Sequence, residues 1–246
     1  MQLEGKHAVL EALRAAMPLQ SILLQEGAAP DKAIDELRRL AQAAGVAVST
    51  APKRELDKVS ERGAHQGVVA QAKPFGFSPI EKIVRATEGK TDALIIALDH
   101  VTDPGNLGAI ARTAEVVGAS ALLVPARRSA ALTPAAWKSA AGAFAHVPVV
   151  REANLVRSLE IFKDAGFWVA GASERATQSV WEAPLEGRIV LVMGSEGEGL
   201  ARLTREKCDF LVSLPQAGRV GSLNVAQATT AIAYEWLRRT KAAASE

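Results

Sequence analysis

The sequence predicts an α/β protein in two parts, a small α/β domain followed by a larger domain built on a mostly parallel sheet with helices on both faces. Short apolar runs of strand length alternate with longer helical patterns along most of the chain. Because neighbouring parallel strands need helical crossovers, this alternation favours a parallel sheet. Residues 73–79 interrupt the pattern with two prolines and a glycine, as linkers do. We therefore predict domains at 1–73 and 91–246, joined by a linker at 74–90.

The elements of the first domain follow from its hydrophobic pattern. Residues 31–44 form the clearest amphipathic helix, with Ile34, Leu37 and Leu40 on one face and Gly45 at its end. Helices are also predicted at 6–16 and 52–59, and strands at 21–24, 46–49 and 67–72. No catalytic cluster stands out here. A set of basic side chains forms either a solvated face, which we favour, or a phosphate-contacting one; they are Arg38, Arg39, Lys53, Arg54 and Arg62.

The second domain contains six apolar runs of strand length. These strands are predicted at 93–98, 121–124, 147–150, 167–171, 189–193 and 210–214, and the helices at 106–117, 134–143, 154–165 and 223–239, while a short helix at 80–86 precedes the domain within the linker. The last two strands end in loops rich in glycine or proline. Open α/β sheets bind ligands at the carboxyl edge, and small residues let main chain approach a ligand closely. Side by side, these two strand ends predict a pocket.

Charge and composition exclude several classes of protein. Lys and Arg number 29 against 27 Asp and Glu, a net charge of +2, so any RNA affinity must come from local patches. The single cysteine, Cys208, excludes an internal disulfide and is expected to be a small residue near the core. The histidines are too dispersed to indicate a metal site. The apolar runs are too short to cross a bilayer and the N-terminus lacks a signal pattern, so we expect a soluble cytoplasmic protein.

Residues suited to chemistry concentrate in three places of the second domain. The first is DHVTDPGNLGAIARTA at 99–114, where a strand ends, a tight turn follows and Asn106 stands at a predicted helix N-cap. Arg112 lies on a helix otherwise rich in apolar residues. Its guanidinium is either held near a cleft or paired with Glu115, three residues further along the helix. The sequence leaves both alternatives open.

The second and third places follow the last two strands. In LVMGSEGEGL at 191–200, Glu196 either faces a ligand or is solvated, and the glycines match neither a dinucleotide fingerprint nor a P-loop. In LPQAGRVGSLNVAQA at 214–228, Ser222 is a plausible N-cap for the final helix. Asn224, in the first turn, brings an amide beside the predicted pocket.

Together the three places resemble a known family. The spacings DxxxDPxNxGAIxRTA, LVxGxEGxGL and LPxxGxxxSLNVxxA resemble the three motifs of the SpoU group of the SPOUT methyltransferases. In the first domain, GKHAVLEAL at 5–13 and AHQGVVAQAKP at 64–74 resemble the ribosomal-protein-like substrate-binding domain of the large-subunit rRNA guanosine 2'-O-methyltransferases of that group. The resemblance therefore covers nearly the whole chain.

The resemblance implies a trefoil knot that binds S-adenosylmethionine, no metal, a homodimer with the active site near its interface, and 23S rRNA or its precursor as the RNA partner. It gives catalytic or substrate-site roles to Asn106, Arg112, Glu196, Ser222 and Asn224. It gives cofactor contacts, chiefly through main chain, to Met193, Gly194, Gly199, Leu214, Leu223 and Val225. Two positions depart from it: relatives often carry Ser in place of Ala226, and an aromatic or aliphatic residue in place of Glu4.

The reaction implied is an in-line attack of a ribose 2'-oxygen on the sulfonium methyl group, for which the protein orients both groups and helps to remove a proton. Because a guanidinium stays protonated in proteins, we expect Arg112 to bind the adjacent phosphate and stabilise the developing alkoxide. The proton then passes to phosphate, Glu196 or water. Target selection is expected from the small domain and from local basic residues, namely Arg127, Arg128 and Lys138.

Three other functions compete with this one. Within the family, the main alternative is a tRNA ribose methyltransferase, against which the separate N-terminal domain argues. A non-catalytic RNA-binding assembly factor is a weaker alternative, because Arg112, Asn224 and the glycine loop are all present. A dinucleotide or small-molecule enzyme would need a phosphate fingerprint that this sequence lacks.

Overall fold

The computed structural model describes residues 1–27, 31–61, 63–219 and 221–243, so the predicted basic residue Arg62 lies outside the described part of the chain. The chain forms two compact units. One comprises Met1–Phe75 and Leu132–Gly142, and the other comprises Gly76–Ala131 and Ala143–Glu246. Each unit is built on its own sheet.

The first unit contains a four-stranded sheet in the order β1-β4-β2-β3. Its strands are β1 (Gln2–Glu4), β2 (Leu19–Gln25), β3 (Ala47–Ala51) and β4 (Val68–Ala72), and its first three helices are α1 (Lys6–Arg14), α2 (Lys32–Ala43) and α3 (Lys53–Val59). β4 runs antiparallel to β1 and β2, whereas β2 and β3 are parallel. Every predicted element of this unit is present. β1 was not predicted, because three residues are too few to show a period.

Glu4, at the end of β1, holds the loop that follows α3. Its carboxylate accepts hydrogen bonds from Ser60 Oγ at 2.7 Å, from the Glu61 N–H at 2.7 Å and from the Ala64 N–H at 3.2 Å. An aromatic or aliphatic side chain, which the resemblance implies at this position, would offer no acceptor for these donors. The Glu4 carboxylate therefore holds Ser60, Glu61 and Ala64 in place.

A helix from the middle of the chain, α6 (Pro134–Ala140), belongs to the first unit and packs against α1. It buries Ala136, Trp137 and Ala140, while the Lys138 ammonium lies 2.8 Å from a Glu11 carboxylate oxygen. This ion pair holds the pKa of Glu11 below its ordinary value. The predicted domain 91–246 included this helix. The position of a helix along the sequence does not show which unit it packs against.

The second unit is built on six strands, all parallel, in the order β10-β8-β9-β5-β6-β7. The strands are β5 (Ala93–Leu98), β6 (Ala121–Pro125), β7 (Val149–Glu152), β8 (Trp168–Ala172), β9 (Arg188–Met193) and β10 (Phe210–Val212). The helices are α4 (Ile80–Thr87), α5 (Pro104–Val116), α7 (Leu155–Asp164), α8 (Arg202–Lys207) and α9 (Val225–Ala243). The predicted α/β class with a mostly parallel sheet is confirmed.

The core of this unit explains its sequence. Every residue of β5 is buried, since β5 lies inside the sheet with neighbours on both sides. A strand covered on both faces reads as a continuous apolar run, which is why ALIIAL was recognisable from sequence. Ile95, Leu123 and Val190 from three neighbouring strands pack with Phe162 of α7 in one cluster. This rigid sheet fixes the positions of the loops at its carboxyl edge.

Two details differ from the predictions. β9 and β10 are not neighbours, because β8 lies between them. α8 was not predicted, since its sequence RLTREK buries only Thr204 and so shows no apolar stripe.

No helix among the described residues is long and apolar enough to cross a membrane. The trefoil knot stays a prediction.

Cys208 follows α8 and is partly buried, as expected of a small residue near the core. Its thiol contacts the Thr204 carbonyl at 3.4 Å. On the other side lies Gly171 of β8, where an added Cβ would be only 2.7 Å from the Cys208 sulfur. Burial raises the pKa of this thiol to about 12, so the sulfur is held as a neutral packing group.

Candidate active site

A cavity of about 480 Å³ lies at the carboxyl ends of β8, β9 and β10. Most of the site residues named from the sequence line it, namely Met193, Gly194, Glu196, Gly199, Leu214, Ser222, Leu223, Asn224 and Val225. Its inner wall is apolar and buried, with Met193, Val212 and Ile232 at most 3% exposed. At the rim, Leu223 is 51% exposed. The cavity therefore offers a partly apolar inner wall and an open mouth to a ligand of moderate size.

The glycine loop after β9 is unusually tight. A Cβ added to Gly194 would lie 2.2 Å from the Gly199 carbonyl carbon and 2.5 Å from the Leu200 nitrogen. Main-chain hydrogen bonds between Ser195 and Gly199 close the loop at 3.1 and 3.0 Å. Gly199 has φ +69°, in the left-handed region that favours glycine. The backbone at Gly194 thus lies directly against the backbone of Gly199 and Leu200, and Glu196 lies on a loop of fixed conformation.

Three side chains, one from each motif, meet at the mouth of the cavity. The Asn106 amide donates to Glu196 Oε1 at 2.7 Å. The Asn224 amide donates to the same oxygen at 2.9 Å and to Asn106 Oδ1 at 2.9 Å. Glu196 therefore has two hydrogen-bond partners within the protein, and they fix the orientation of its carboxylate. We call Asn106, Glu196 and Asn224 the polar triad.

Asn106 can join the triad because it does not cap its helix. The N-cap of α5 is Asp103, whose carboxylate accepts the Asn106 N–H at 2.7 Å, and Pro104 follows at the first helical position. The predicted capping role of Asn106 is therefore wrong. Proline at the first helical position fixes the start of α5 earlier than the apolar pattern indicates, and the Asn106 side chain is left available to Glu196.

The final helix begins two residues later than predicted, and Asn224 rather than Ser222 caps it. α9 starts at Val225, and Asn224 Oδ1 accepts the N–H groups of Ala226 at 2.9 Å and Gln227 at 3.4 Å. Asn224 thus uses its oxygen for the helix and its nitrogen for the triad. Ser222, freed from capping, is exposed at the cavity.

A buried aspartate that the sequence did not single out as a site residue ties the first two motifs together. Asp99, at the end of β5, is 1% exposed and accepts the Ala201 N–H at 2.7 Å. Its other oxygen lies 2.6 Å from Nδ1 of His100. Ala201 follows the glycine loop and precedes α8. Asp99 therefore positions the loop that carries Glu196, and a polar residue directly after an apolar strand was the available signal.

Arg112 is the one predicted site residue that stands apart. It is exposed on α5, does not line the cavity, and makes no ion pair or hydrogen bond with Glu115 or any other described residue. The next residue, Thr113, is nearly buried and its hydroxyl lies 2.8 Å from the Thr230 hydroxyl of α9. The α5 face beside Arg112 is thus packed on α9, while Arg112 itself points away from protein partners within the described chain.

Sequence reasoning missed part of the cavity wall. Glu174 and Arg175 follow β8, and Arg205 lies on α8; all three line the cavity. The rule that parallel strands share a carboxyl edge would have included the loop after β8, had that strand been placed between the other two. Among the described residues, no group of three or more His, Cys, Asp or Glu could hold a metal ion.

Comparison with known proteins decides the family. Residues 93–234 match the model of the SpoU rRNA Methylase family, and residues 2–78 match the model for RNA 2'-O ribose methyltransferase substrate binding. The chain belongs to the SpoU rRNA methylase family. In this SpoU methylase the two matched regions account for both sheets and all three motifs.

Relatives of the SpoU methylase are similar over nearly its full length. The 23S rRNA (guanosine-2'-O-)-methyltransferase RlmB of Pseudomonas putida is 45% identical, with 96% of this chain and 95% of that protein covered. An uncharacterised tRNA/rRNA methyltransferase of Mycolicibacterium vanbaalenii is 39% identical, with 97% and 76% covered. The crystal structure of the SpoU methyltransferase AviRb from Streptomyces viridochromogenes, in complex with AdoMet, has a TM-score of 0.68 at 27% identity, with 97% and 89% covered.

Proposed function

We propose that this chain transfers the methyl group of S-adenosylmethionine to a ribose 2'-hydroxyl in RNA, at a guanosine of 23S rRNA. The observation that carries the proposal is the polar triad, which joins all three family motifs at the mouth of one cavity. Sequence similarity to a 23S rRNA guanosine methyltransferase over 96% of the chain supports the target.

The cavity fits the methyl donor. Met193 and Val225 give it a buried apolar wall, and the missing Cβ of Gly194 lets main chain reach a ligand closely. In the proposal, the residues that hold the donor are Met193, Gly194, Gly199, Leu214, Leu223 and Val225. The bound donor supplies an already activated methyl group. The protein therefore has to position this group and shield it from water, and it does not have to activate it.

The polar triad is proposed to handle the ribose hydroxyl. Both amides donate to Oε1 of Glu196, and no described residue donates to its Oε2. Glu196 therefore retains an acceptor for the hydroxyl proton, while the two asparagines fix the orientation of the carboxylate. Ser222, exposed beside Asn224, is placed to contact the substrate.

Arg112 is proposed to act from a second copy of the chain. Val116, one helical turn beyond Arg112 on the same face of α5, is 55% exposed, and Tyr234 on the adjoining α9 is 47% exposed. Exposed Val116 and Tyr234 side chains on two packed helices are candidates for a homodimer interface. Such an interface would carry the unpaired Arg112 guanidinium toward the site of the partner, where it can bind a phosphate and stabilise an alkoxide.

Mixed dimers test this arrangement. Arg112→Ala and Asn224→Ala subunits are each expected to form inactive homodimers. If Arg112 acts across the interface, a mixed dimer has one site with both changes and one intact site, so activity returns. If Arg112 acts within its own chain, every site in the mixture stays damaged. Mixtures that remain inactive although exchange of subunits is demonstrated would contradict the proposal.

RNA selection is proposed to involve the first unit, together with the exposed Arg127 and Arg128. Lys138 is a weaker candidate than the sequence implied, because it is paired with Glu11. Mapping 2'-O-methyl groups in 23S rRNA and tRNA from cells with and without the protein tests the target. Loss of one 23S rRNA guanosine methylation is expected. Loss of a tRNA methylation would favour the tRNA alternative, and unchanged methylation would favour a non-catalytic assembly factor. We propose a cytoplasmic site of action.

A further inference from the structure

The cavity carries more charge than the adenosine part of a methyl donor needs. Its wall contains three carboxylates, Glu174, Glu196 and Glu198, and two guanidinium groups, Arg175 and Arg205, a net of −1. S-adenosylmethionine carries a sulfonium, an ammonium and a carboxylate, a net of +1. The total charges are complementary. A cation at this exposed part of the wall can pair with the carboxylate of the ligand and so favour the complete donor.

Arg205 is suited to that carboxylate by its own surroundings. On the same helix, α8, Arg202 is paired with Glu206 at 2.6 Å and does not line the cavity. Arg205 lines the cavity instead and makes no ion pair with any residue in the described ranges. A guanidinium presents a planar fork that matches a carboxylate in two parallel hydrogen bonds.

The backbone that carries Arg205 is fixed at both ends. The Ala201 N–H, at the start of α8, is held by the buried Asp99 carboxylate at 2.7 Å. Thr204, adjacent to Arg205, is 3% exposed, and its carbonyl contacts the Cys208 thiol. Arg175 also lines the cavity, but it lies in the loop after β8, outside any helix or strand. Arg205 is therefore the better positioned of the two cations.

We propose that Arg205 binds the α-carboxylate of the amino-acid end of the methyl donor, and so selects the complete donor over its adenosine fragment. This inference rests on the proposed function, because it assumes that the donor occupies the cavity. Arg205 is a binding residue in this proposal and takes no part in proton transfer.

Two ligands separate the contact from the shape of the cavity. S-adenosylhomocysteine keeps the amino-acid end, whereas methylthioadenosine keeps the adenosine and the sulfur but lacks the carboxylate. Calorimetric titration of the full chain is expected to show that Arg205→Ala weakens binding of S-adenosylhomocysteine by about tenfold or more, as loss of a charge-assisted contact predicts. Binding of methylthioadenosine is expected to stay unchanged. Arg202→Ala, on the same helix, is the matched control and should alter neither.

Several results would overturn the proposal. Unchanged S-adenosylhomocysteine affinity in Arg205→Ala would show that Arg205 does not bind the carboxylate. A higher KM for RNA in the same variant would indicate that Arg205 binds an RNA phosphate instead. Equal weakening of both ligands would make Arg205 a structural part of the wall. If the unaltered chain bound neither ligand, the proposed function itself would fail, which is a distinct outcome from a failure confined to Arg205.

Discussion

The side-chain amide of Asn224 donates a hydrogen bond to Oδ1 of Asn106 at 2.9 Å across 118 positions of sequence. Each asparagine also contacts Glu196, so the start of α5, the glycine loop and the start of α9 are held in one arrangement. Asn224 alone serves both the helix it caps and the site. That double use allows its two functions to be separated by substitution.

Asn224→Asp should lower activity without destabilising the fold. Aspartate caps a helix about as well as asparagine, and its repulsion with the exposed Glu196 is screened by solvent, so the free energy of unfolding is expected to change by less than about 0.5 kcal/mol. Aspartate cannot donate to Glu196 and adds a like charge, so kcat/KM should fall by about tenfold or more. Asn224→Ala should lose the cap as well, at a cost of about 1 kcal/mol. Methyl-transfer assays and denaturant unfolding measure both quantities, and equal destabilisation by Asp and Ala would contradict the capping role.

Gly194→Ala should abolish binding of the methyl donor. The new methyl group would meet the Gly199 main chain at 2.2 Å, a contact that only movement of the backbone can relieve. Gly218→Ala is the control, because no described heavy atom lies within 4 Å of a Cβ there. Calorimetry with S-adenosylhomocysteine should show binding for the Gly218 variant and none for the Gly194 variant. Full binding by both would show that the glycine loop does not shape the site.

Glu4→Ala should loosen the segment that contains Ser60, Glu61 and Ala64 in the first unit. The Ser60 hydroxyl, the Glu61 and Ala64 N–H groups and the Gln2 side-chain amide lose their acceptor, and a cost of about 1–2 kcal/mol is expected for these partly exposed bonds. Amide hydrogen exchange at Glu61 and Ala64 should accelerate. Glu26→Ala, an exposed glutamate of the same unit, should leave their exchange unchanged. Protection that persists in the Glu4 variant would mean that other contacts order the loop.

Cys208 should be unreactive in the folded chain at pH 8. Its pKa is raised to about 12, first by burial and then by Asp209, so the native thiol stays protonated where an unfolded thiol, at 9.0, begins to ionise. Between pH 9.0 and 12 the unfolded state releases a proton that the folded state keeps, and this group therefore lowers stability as pH rises. Thiol-reagent kinetics with and without denaturant test the first point. Fast native labelling would contradict it.

The sequence was most informative where one physical cause dominates. Buried parallel strands such as β5 must be apolar throughout, so their runs were recognisable, and the glycine loop could be named because backbone contact at Gly194 permits no side chain. The meeting of Asn106, Glu196 and Asn224 followed from family motifs rather than from periodicity. Local patterns carry no information about which distant residues touch.

The differences have equally specific causes. Strand adjacency depends on the whole topology, so the position of β8 between β9 and β10 could not be read from either run. The capping roles of Asn106 and Ser222 were misassigned because several residues at each helix start have capping side chains, and hydrogen-bond geometry selects among them. Arg205 was missed because α8 buries only Thr204, so its sequence shows no hydrophobic pattern that would predict a helix.

The two-segment make-up of the first unit limits how the protein can be dissected. A fragment ending at residue 75 would omit the helix whose buried Ala136, Trp137 and Ala140 cover α1, and the Phe75 ring would lose the Trp137 ring that stands edge-on to it at 6.2 Å. Such a truncation would expose the apolar surface of α1 that α6 covers, and aggregation is expected to follow. A recombinant version of this unit should therefore graft residues 132–142 back onto the fragment through a designed tether.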